Sequence, residues 1–486
     1  MTQETSFARK AARSGLWLAG FKFITQGFSW VVTISVARML RPEDYGLMAM
    51  ASILTGYIEM FSEMGIGAAI IQKKDITQEE LSSTFWFNIG VGIVFALACF
   101  GLAYPTAWIF NEPGIIPITQ LISVLFIIGS LMIVPNNILT RNASFKELGI
   151  INLTAVVASS LAMLWMASKG FGVWTLIYGT IILRSMTTLQ TFLKAKWRPD
   201  LHFRFSEVRR LLRFGVHVAG SRSLFYVFQK SDKFIVGKVF NAQALGYYSF
   251  AMQLANIPTD KIVSTIQQVS FSVFAKYQSE LGKCQDIYLK TSKYIGLLVI
   301  PLFAGGFFLG DDIIRALLGE KWAPIIFLFR LLCITQAFQA VTTINSIIHT
   351  SLGRPHWALY YILINVLILP ISILGASRYG LNALAIPWVT LFPAICIGWT
   401  WMTLKKLQIP LSTYLKTFMK PVAGTLLMIA GIKVFQAAYA TAHLTAENLK
   451  MIFMQELIIG ALIYAIWTLS MEKKSLIEIW SLRKAR

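Results

Sequence analysis

Charge is scarce in this sequence of 486 residues. Asp, Glu, Lys and Arg together make up 14% of the chain, whereas a soluble protein has roughly a quarter of its residues charged. Acids are the scarcer sign, with 23 Asp and Glu against 44 Lys and Arg. The basic surplus does not by itself indicate a nucleic-acid partner, because basic residues of membrane proteins collect in cytoplasmic loops.

The motifs of common enzymes are also absent. The sequence has no GxxxxGK[ST] phosphate loop, which excludes ATP hydrolysis by that route, and it has no nucleophile–base constellation. Its five histidines form no HExxH motif, and its four cysteines form no CxxC pair. We therefore predict no catalytic residue, no metal site and no cofactor. We interpret the cysteines as packing residues: Cys99, Cys284, Cys333 and Cys396.

Long apolar runs are what the sequence has instead. Hydrophobic residues make up 56% of the chain, and its mean hydropathy is +0.62. Such runs predict spanning helices, since they lack the alternation of barrel strands and backbone groups in hydrocarbon must bond internally. We predict an all-α membrane protein with about fourteen transmembrane helices. They cover roughly residues 13–37, 45–70, 81–103, 115–135, 149–168, 171–193, 212–238, 246–272, 291–310, 323–345, 357–376, 381–403, 420–440 and 451–470.

The positions of Lys and Arg predict the orientation. Arg9, Lys10 and Arg13 precede a first apolar stretch that is too long for a cleaved signal peptide. Most basic residues between the predicted helices fall on the side of the N-terminus, so we expect both termini in the cytoplasm. The chain is then a multi-pass protein of the bacterial inner membrane.

The two halves of the sequence match at an offset of 200 residues. Six predicted helices separate the copies, so the second copy keeps the orientation of the first and the repeat is parallel. We predict a six-helix bundle over 1–193, a cytoplasmic amphipathic linker over 194–211, a second bundle over 212–405, and helices thirteen and fourteen with a cytoplasmic tail over 406–486. Matching pairs include Arg13 and Arg213, Gly20 and Gly220, Lys22 and Arg222, Arg38 and Lys238, and Gly46 and Gly246.

Twelve of the ionisable residues inside the predicted apolar segments are singled out as informative. A charge at the centre of a lipid-facing helix costs about 2.5–3.5 kcal/mol, so eight cations would cost on the order of 20 kcal/mol. The cations must therefore face a wet cavity or pair with acids, and because they outnumber the acids the cavity should be positive. The twelve are Lys22, Glu59, Glu63, Arg184, Arg222, Lys230, Asp232, Lys233, Asp260, Lys261, Arg330 and Lys433.

A positive cavity suits a pyrophosphate or an acidic sugar, held by charge-assisted hydrogen bonds. The candidate substrate-binding residues are Lys22, Arg222, Lys230, Lys233, Lys261, Arg330 and Arg184. The candidates for ion coupling are Glu59, Glu63 and Asp232.

Each of these roles has a structural alternative. Asp232 could neutralise a lysine of its own helix, and Glu59 and Glu63 could be paired with Lys22 or another buried cation. Arg184 and Lys433 lie near predicted helix ends and could extend to the interface.

Five stretches of the sequence carry a family resemblance: RMLRPEDYG at 38–46, FSEMGIGAAIIQKK at 61–74, LSSTFWFN at 81–88, FAKY at 274–277 and GEKW at 319–322. They resemble the polysaccharide exporters of the multidrug/oligosaccharidyl-lipid/polysaccharide (MOP) superfamily. The similarity is nearest to the Wzx-type branch that includes the colanic acid exporter, and it covers nearly the whole chain in order and spacing.

This resemblance implies two six-helix bundles in a V around a central cavity, with two additional C-terminal helices. It implies a flippase that moves an undecaprenyl-pyrophosphate-linked oligosaccharide, an anionic glycan on a membrane lipid, from the cytoplasmic to the periplasmic leaflet. A polysaccharide polymerase and a chain-length regulator would be partners. Two alternatives stay open: a drug or metabolite exporter of the same superfamily, and a membrane glycosyltransferase or polymerase.

Overall fold

The structure is a computed structural model. It describes the backbone of residues 3–62, 66–73, 75–278, 280–439 and 446–472. Within these ranges there is no β-strand, which confirms the predicted all-α class. Side chains are described from residue 20 onward, except at 23, 61, 62, 66, 68, 69, 209–224, 261, 262, 264, 265, 268, 269, 272, 355, 439 and 446–450.

Contacts divide the helices into two units, Met1–Gly246 and Tyr247–Arg486. The predicted boundaries of the bundles and the linker stay a prediction. The first unit contains helices α1 Gln3–Met39, α2 Pro42–Ser62, α3 Ile66–Gln72, α4 Gln78–Phe110, α5 Ile115–Ile122, α6 Val124–Arg141, α7 Phe145–Ser168, α8 Trp174–Ala195 and α9 Phe205–Val239, and it ends within α10 Ala242–Pro258.

The second unit starts inside α10 and continues through a π-helical turn, Thr259–Val263. Short 3-10 turns precede or follow several of its helices. The helices are α11 Ser264–Lys276, α12 Leu281–Phe308, α13 Gly310–Leu318, α14 Ile326–Ser351, α15 Pro355–Ala376, α16 Ala385–Val389, α17 Leu391–Lys406, α18 Leu411–Tyr439 and α19 Ala446–Met471.

All fourteen predicted segments overlap helices of the structure. In the described chain, nine helical segments are long and apolar enough to cross a membrane, and α1 with α2 passes the same test as a pair joined by a bend of 116°. The chain is therefore a multi-pass membrane protein. The number of crossings, fourteen, stays a prediction, because α1 and α2 pass this test only as a pair, and α8, α9, and α10 with α11 are not among the segments that pass it.

Polarity and charge coincide on the same helices. Apart from Arg330 and Lys433, and from Glu63, which lies outside the described residues, every ionisable residue singled out in the sequence falls on α1, α2, α8, α9 or the π-helical turn after α10. None of these is among the nine single spans of the described chain. A lipid-facing position would penalise such residues, so these helices are the ones that need protein or water around them.

The two repeat copies have matching helix boundaries. Helix α1 ends at Met39 and α9 at Val239, while α2 begins at Pro42 and α10 at Ala242. Each boundary pair differs by the offset of 200 found in the sequence. This agreement supports the internal repeat at the level of backbone structure.

Each copy begins its second helix with one half of a capping box. In the first, the Arg41 N–H donates to Asp44 Oδ2 at 2.8 Å. In the second, the Ala244 N–H donates to Asn241 Oδ1 at 2.8 Å. The two copies thus stabilise the same turn with different side chains, which hides the similarity from a residue-by-residue comparison.

Buried polar side chains connect the helices of the second unit. The Tyr288 hydroxyl donates to Asn345 Oδ1 at 2.6 Å, and the Asn345 amide donates to Thr400 Oγ1 at 3.0 Å, which joins α12, α14 and α17. Farther along, Glu472 is buried and pairs with Lys293 at 2.6 Å. Bonds of this kind are strong in a low-dielectric interior and give this unit a fixed arrangement.

The segment between α8 and α9 is docked on the start of α4. Residues 196–204 are not helical, while α8 ends at Ala195 and α9 begins at Phe205, so the predicted amphipathic linker, 194–211, is helical only at its two ends. Leu201, Phe203 and Phe205 are exposed. The docking hydrogen bonds are Gln78 Nε2 to Arg198 O at 2.7 Å, Trp197 Nε1 to Gln78 Oε1 at 2.7 Å, Trp86 Nε1 to Asp200 O at 2.8 Å, Asp200 N to Ser82 Oγ at 3.0 Å and Arg204 N to Ser83 Oγ at 3.0 Å.

Ser83 also anchors the first turn of α9. Its hydroxyl donates to Glu207 Oε2 at 2.6 Å, and His202 Nε2 lies 3.2 Å from Glu207 Oε1. The hydrogen bond from Ser83, followed by that from His202, holds the pKa of the Glu207 carboxyl below its usual value. The ionised carboxylate is therefore the form that the linker stabilises.

Replacing Ser83 with alanine should loosen the linker in a pH-dependent way. A hydrogen bond to a charged group contributes about 1.5–3 kcal/mol, so Ser83→Ala should unfold at a lower temperature than the unsubstituted chain at pH 7. The pKa of Glu207 is lowered in the folded state, so this stabilisation is present above the unfolded pKa of about 4.3. It is lost as the pH falls through the folded value.

Thermal unfolding in detergent, measured at several pH values, checks this. Ser372→Ala is the matched control, because the Ser372 hydroxyl bonds backbone carbonyls of its own helix, Ile368 O at 2.8 Å and Leu369 O at 2.9 Å. A Ser83→Ala difference that is equally large at pH 7 and well below pH 4 would contradict the role of the Glu207 charge.

Candidate functional site

Helix α9 is fastened to α2 by Tyr226. Its hydroxyl lies 2.9 Å from Ile53 O and 3.1 Å from Ser52 O, both backbone acceptors on α2. Gly56 makes room for the contact, since a Cβ there would lie 2.3 Å from the Tyr226 hydroxyl oxygen. The ring centroid of Tyr57 is 5.8 Å from that of Tyr226. The ring of Tyr226 therefore has a fixed position between the two helices.

Lys230 lies one turn after Tyr226 on α9. Its Nζ is 5.7 Å from the centre of the Tyr226 ring, which is within the range of a cation–π interaction. The spacing of four residues brings the two side chains to the same helix face. The spacing of four residues was visible in the sequence, but nothing in the sequence singled out Tyr226. This contact was therefore not predicted from the sequence.

Glu59 and Arg184 join α2 to α8. Glu59 Oε1 is 2.9 Å from Arg184 Nη2, and the two side chains keep 59% and 42% of their accessible surface. Glu59 also interacts electrostatically with Tyr226. Four residues from three helices are thus neighbours, and we call Glu59, Arg184, Tyr226 and Lys230 the charged cluster.

A small cavity opens beside the Glu59–Arg184 pair. Its volume is about 80 Å³, and Thr55, Glu59 and Arg184 supply its polar side chains. Apolar residues of α5 and α6, Phe126 and Met132 among them, line the rest. A space of this size has room for a few water molecules and is too small for a sugar. The predicted positive cavity for a substrate stays a prediction.

The other predicted charges of α9 follow the cluster along the helix. Asp232 is buried, with 4% of its surface accessible, and its Oδ1 accepts a hydrogen bond from the Lys233 backbone N–H at 2.7 Å. The Lys233 side chain is half-buried and interacts electrostatically with both Asp232 and Lys230. Lys230, Asp232 and Lys233 therefore form one continuous charged stretch on the last turns of α9.

The remaining predicted site residues are distributed differently. Lys22 is exposed on α1. Arg330 belongs to the second unit, where it packs so closely on Gly310 that a Cβ there would meet Arg330 Cγ at 2.8 Å. The side chains of Arg222 and Lys261, and the whole of Glu63, lie outside the described residues. The structure thus joins Glu59, Arg184 and Lys230 and adds Tyr226, while the roles of all these residues stay predictions.

Another group contains residues of the kind that bind metals. Ligand atoms of Glu79, His202 and Glu207 lie within 4.8 Å of one another where the linker meets α4. Sequence spacing gave no sign of this group, because Glu79 is far from the other two along the chain. Glu207 is already bonded by Ser83 and His202, so we interpret the group as part of the docking of the linker.

The fold and the charged cluster define a multi-pass helical membrane protein with ionisable side chains gathered on a few helices. Residues 35–327 match the model of the family described as polysaccharide biosynthesis protein. The chain therefore belongs to that family.

Individual relatives agree with this assignment. The chain is similar to the lipopolysaccharide biosynthesis protein WzxC of Escherichia coli (strain K12), with 26% identity over 69% of each protein. It is also similar to the succinoglycan biosynthesis transport protein ExoT of Rhizobium meliloti (strain 1021), with 22% identity over 99% of this chain and 97% of ExoT. Among solved structures, the lipid II flippase MurJ superposes with a TM-score of 0.72 at 13% identity, over 95% of this chain and 100% of MurJ. That likeness shows a shared fold.

Removing the Glu59–Arg184 pair should affect function more than stability. Ion pairs as exposed as this one contribute about 0.2–1 kcal/mol, so Arg184→Met should change the melting temperature little. Thermal unfolding in detergent would measure this. The exchanged pair Glu59→Arg with Arg184→Glu should melt like the unsubstituted chain. A large loss of stability in Arg184→Met that the exchanged pair does not restore would contradict the geometry of the pair.

Proposed function

We propose that this protein is a flippase for undecaprenyl-pyrophosphate-linked oligosaccharides. In this role it carries repeat units from the cytoplasmic to the periplasmic leaflet for the assembly of exopolysaccharide, capsule or O-antigen. It acts as a transporter and not as an enzyme. The observation that carries the proposal is the charged cluster, in a chain of the polysaccharide biosynthesis family. It has cations on α8 and α9, and the α8 cation, Arg184, lines a small cavity.

The chemistry of the cluster suits an anionic head group. Lys230 is an ammonium whose neighbouring ring, Tyr226, is fixed by α2. Lysine binds phosphate as a point charge and arginine as a planar fork. With Lys22, Arg222 and Lys233, Lys230 would hold the pyrophosphate or acidic sugars, while the prenyl tail stays in lipid. Lys261, Arg330 and Arg184 would extend this cationic path.

Transport would proceed by alternating access. The head group enters from the cytoplasm, the two repeat copies rock about the bound head group, and it leaves toward the periplasm. Binding has to be moderate, since a site that binds too tightly does not release. In this scheme Glu59 and Asp232, with Glu63, are the candidates to bind a coupling ion, and protonation of Glu59 would release Arg184 for the substrate.

Known relatives support this choice over the alternatives. The succinoglycan relative is named a transport protein, and the superposed MurJ is a lipid II flippase. A drug exporter would favour an apolar or acidic cavity, whereas the predicted site has more cations than acids. A glycosyltransferase or polymerase would turn over substrate as a purified protein. The polymerase and chain-length regulator of the same assembly route would be the partners.

Removing the cations should stop export. Lys230→Ala, Lys22→Ala and Arg222→Ala should each reduce surface polymer, by roughly 10- to 100-fold if each charge contributes about 1.5–3 kcal/mol to holding the head group. The variants should still be present in the membrane in normal amounts. The measurement is cell-surface polymer together with the lipid-linked repeat units that accumulate on the cytoplasmic face.

Lys405→Ala is the matched control. Lys405 also places its Nζ over an aromatic ring, 5.5 Å from the centre of Trp401, but it lies at the end of α17 and outside the cluster. Lys230→Arg, which keeps the charge, should retain more export than Lys230→Ala. Normal polymer in the three alanine variants and in the triple variant would remove the cationic site from the proposal.

The proposed orientation has a test of its own. Both termini should be cytoplasmic, so a fluorescent reporter that folds only in the cytoplasm should be bright when fused after the C-terminus. A reporter enzyme that is active only in the periplasm should be active when inserted at residue 112, between α4 and α5, and inactive when inserted at residue 199 in the linker. The reverse pattern would contradict the orientation.

A further inference from the structure

The first turns of the two repeat copies lie against each other. We call residues 40–46 and 240–246 the paired turns; both belong to the first unit. A Cβ added to Gly46 would lie 1.7 Å from the carbonyl oxygen of Ala242, and one added to Gly246 would lie 1.8 Å from that of Pro42. Both obstacles are backbone atoms, which cannot rotate away as a side chain does. The contact therefore allows no side chain at either glycine.

The contact is reciprocal under the repeat. Pro42 corresponds to Ala242 and Gly46 to Gly246 at the offset of 200 residues. Gly46 contacts Ala242, and its counterpart Gly246 contacts Pro42, the counterpart of Ala242. The same Cβ position on Gly246 is 3.1 Å from the backbone nitrogen of Gly46. Such an arrangement has a local twofold axis between the turns, as a parallel repeat requires.

The second turn is held in place by the end of α4. Lys238 Nζ donates to Ile109 O at 2.5 Å, and the rings of Phe234 and Phe110 are 5.5 Å apart. A Cβ on Gly237 would approach Phe110 to 2.9 Å. The end of α9 is therefore seated closely on the first unit just before the turn begins.

We propose that the paired turns are the outer gate of the transport path and that Gly46 and Gly246 form its closed contact. This inference rests on the proposed function and its orientation, in which the turn between α1 and α2 faces the periplasm. Rocking one repeat copy against the other separates residues that touch across their common axis. Small residues allow close approach of helices in a membrane. The closed contact is a van der Waals contact between two backbones. Separating the backbones does not require moving a charge out of water.

A larger residue at either glycine should hold the gate open. To accept even a methyl group, the facing carbonyl would have to move from 1.7 Å to at least 3.0 Å away, and a leucine needs more. The experiment attaches spin labels to Glu43→Cys and Gln243→Cys, two exposed positions related by the repeat, in the full chain in lipid nanodiscs. The four native cysteines are buried and should label slowly, which the chain without added cysteines checks.

The expected result is a short distance between the labels in the parent and a longer one in Gly46→Leu and in Gly246→Leu. The matched control is Gly101→Leu, because Gly101 lies on α4 in the same unit and a Cβ there meets nothing within 4 Å. Lys238→Met tests the same gate without adding bulk near the glycines. By removing the bond to Ile109 O it should increase the fraction of molecules with the longer distance.

The outcomes separate the gate from the proposed function. Longer distances, with polymer export reduced at least tenfold in the two glycine variants and normal in Gly101→Leu, support the gate. Unchanged distances in Gly46→Leu, Gly246→Leu and Lys238→Met overturn it, whatever the cation variants do. Export that stays normal in Gly46→Leu despite a longer distance also overturns it. Normal export by the variant that combines Lys22→Ala, Arg222→Ala and Lys230→Ala would instead contradict the proposed flippase function.

Discussion

The cost of placing charge in hydrocarbon determines how this molecule is arranged. A central Lys or Arg facing lipid costs about 2.5–3.5 kcal/mol, yet α8 and α9 carry several ionisable residues. Partners from other helices offset part of this cost: Glu59 pairs with Arg184 beside a small cavity, and Lys230 lies over the ring of Tyr226. The apolar spans of the described chain then provide the lipid-facing surface. Segregating charge onto a few helices keeps its cost away from the apolar spans.

The charged cluster and the paired turns share the same two helices. On α2, Glu59 and Gly46 are 13 residues apart, a distance of about 20 Å along a helix. On α9, Lys230 precedes the second of the paired turns by about three turns of helix. A rigid helix transmits a tilt from one end to the other, and Tyr226 couples α2 to α9 between them. Substrate binding and gate opening would therefore be linked through α2 and α9.

The two repeat copies have similar backbone structure at their first turns but different side chains. The copies end and begin helices at matching positions, yet Asp44 caps one turn and Asn241 the other. The glycines are common to both copies, because the close backbone approach leaves no room for a Cβ. Charges are less strictly matched, as Lys230 and Asp232 show by lacking ionisable counterparts at Trp30 and Val32. Backbone geometry is thus shared between the copies, while the charges at 230 and 232 belong to the second copy alone.

The sequence alone determined the helical class, the approximate helix positions and the repeat offset, because apolar runs, turn residues and recurring glycines are local signals. It also identified Glu59, Arg184 and Lys230 as residues that needed special surroundings. Only the tertiary structure decided which residues are neighbours: that Arg184, 125 positions away along the chain, is the partner of Glu59, that Tyr226 lies under Lys230, and that the linker is docked on Ser82 and Ser83. A single apolar segment is enough to show that a charged residue within it is costly to bury. Which residue becomes its partner depends on how helices distant in the sequence pack, and no local pattern specifies that.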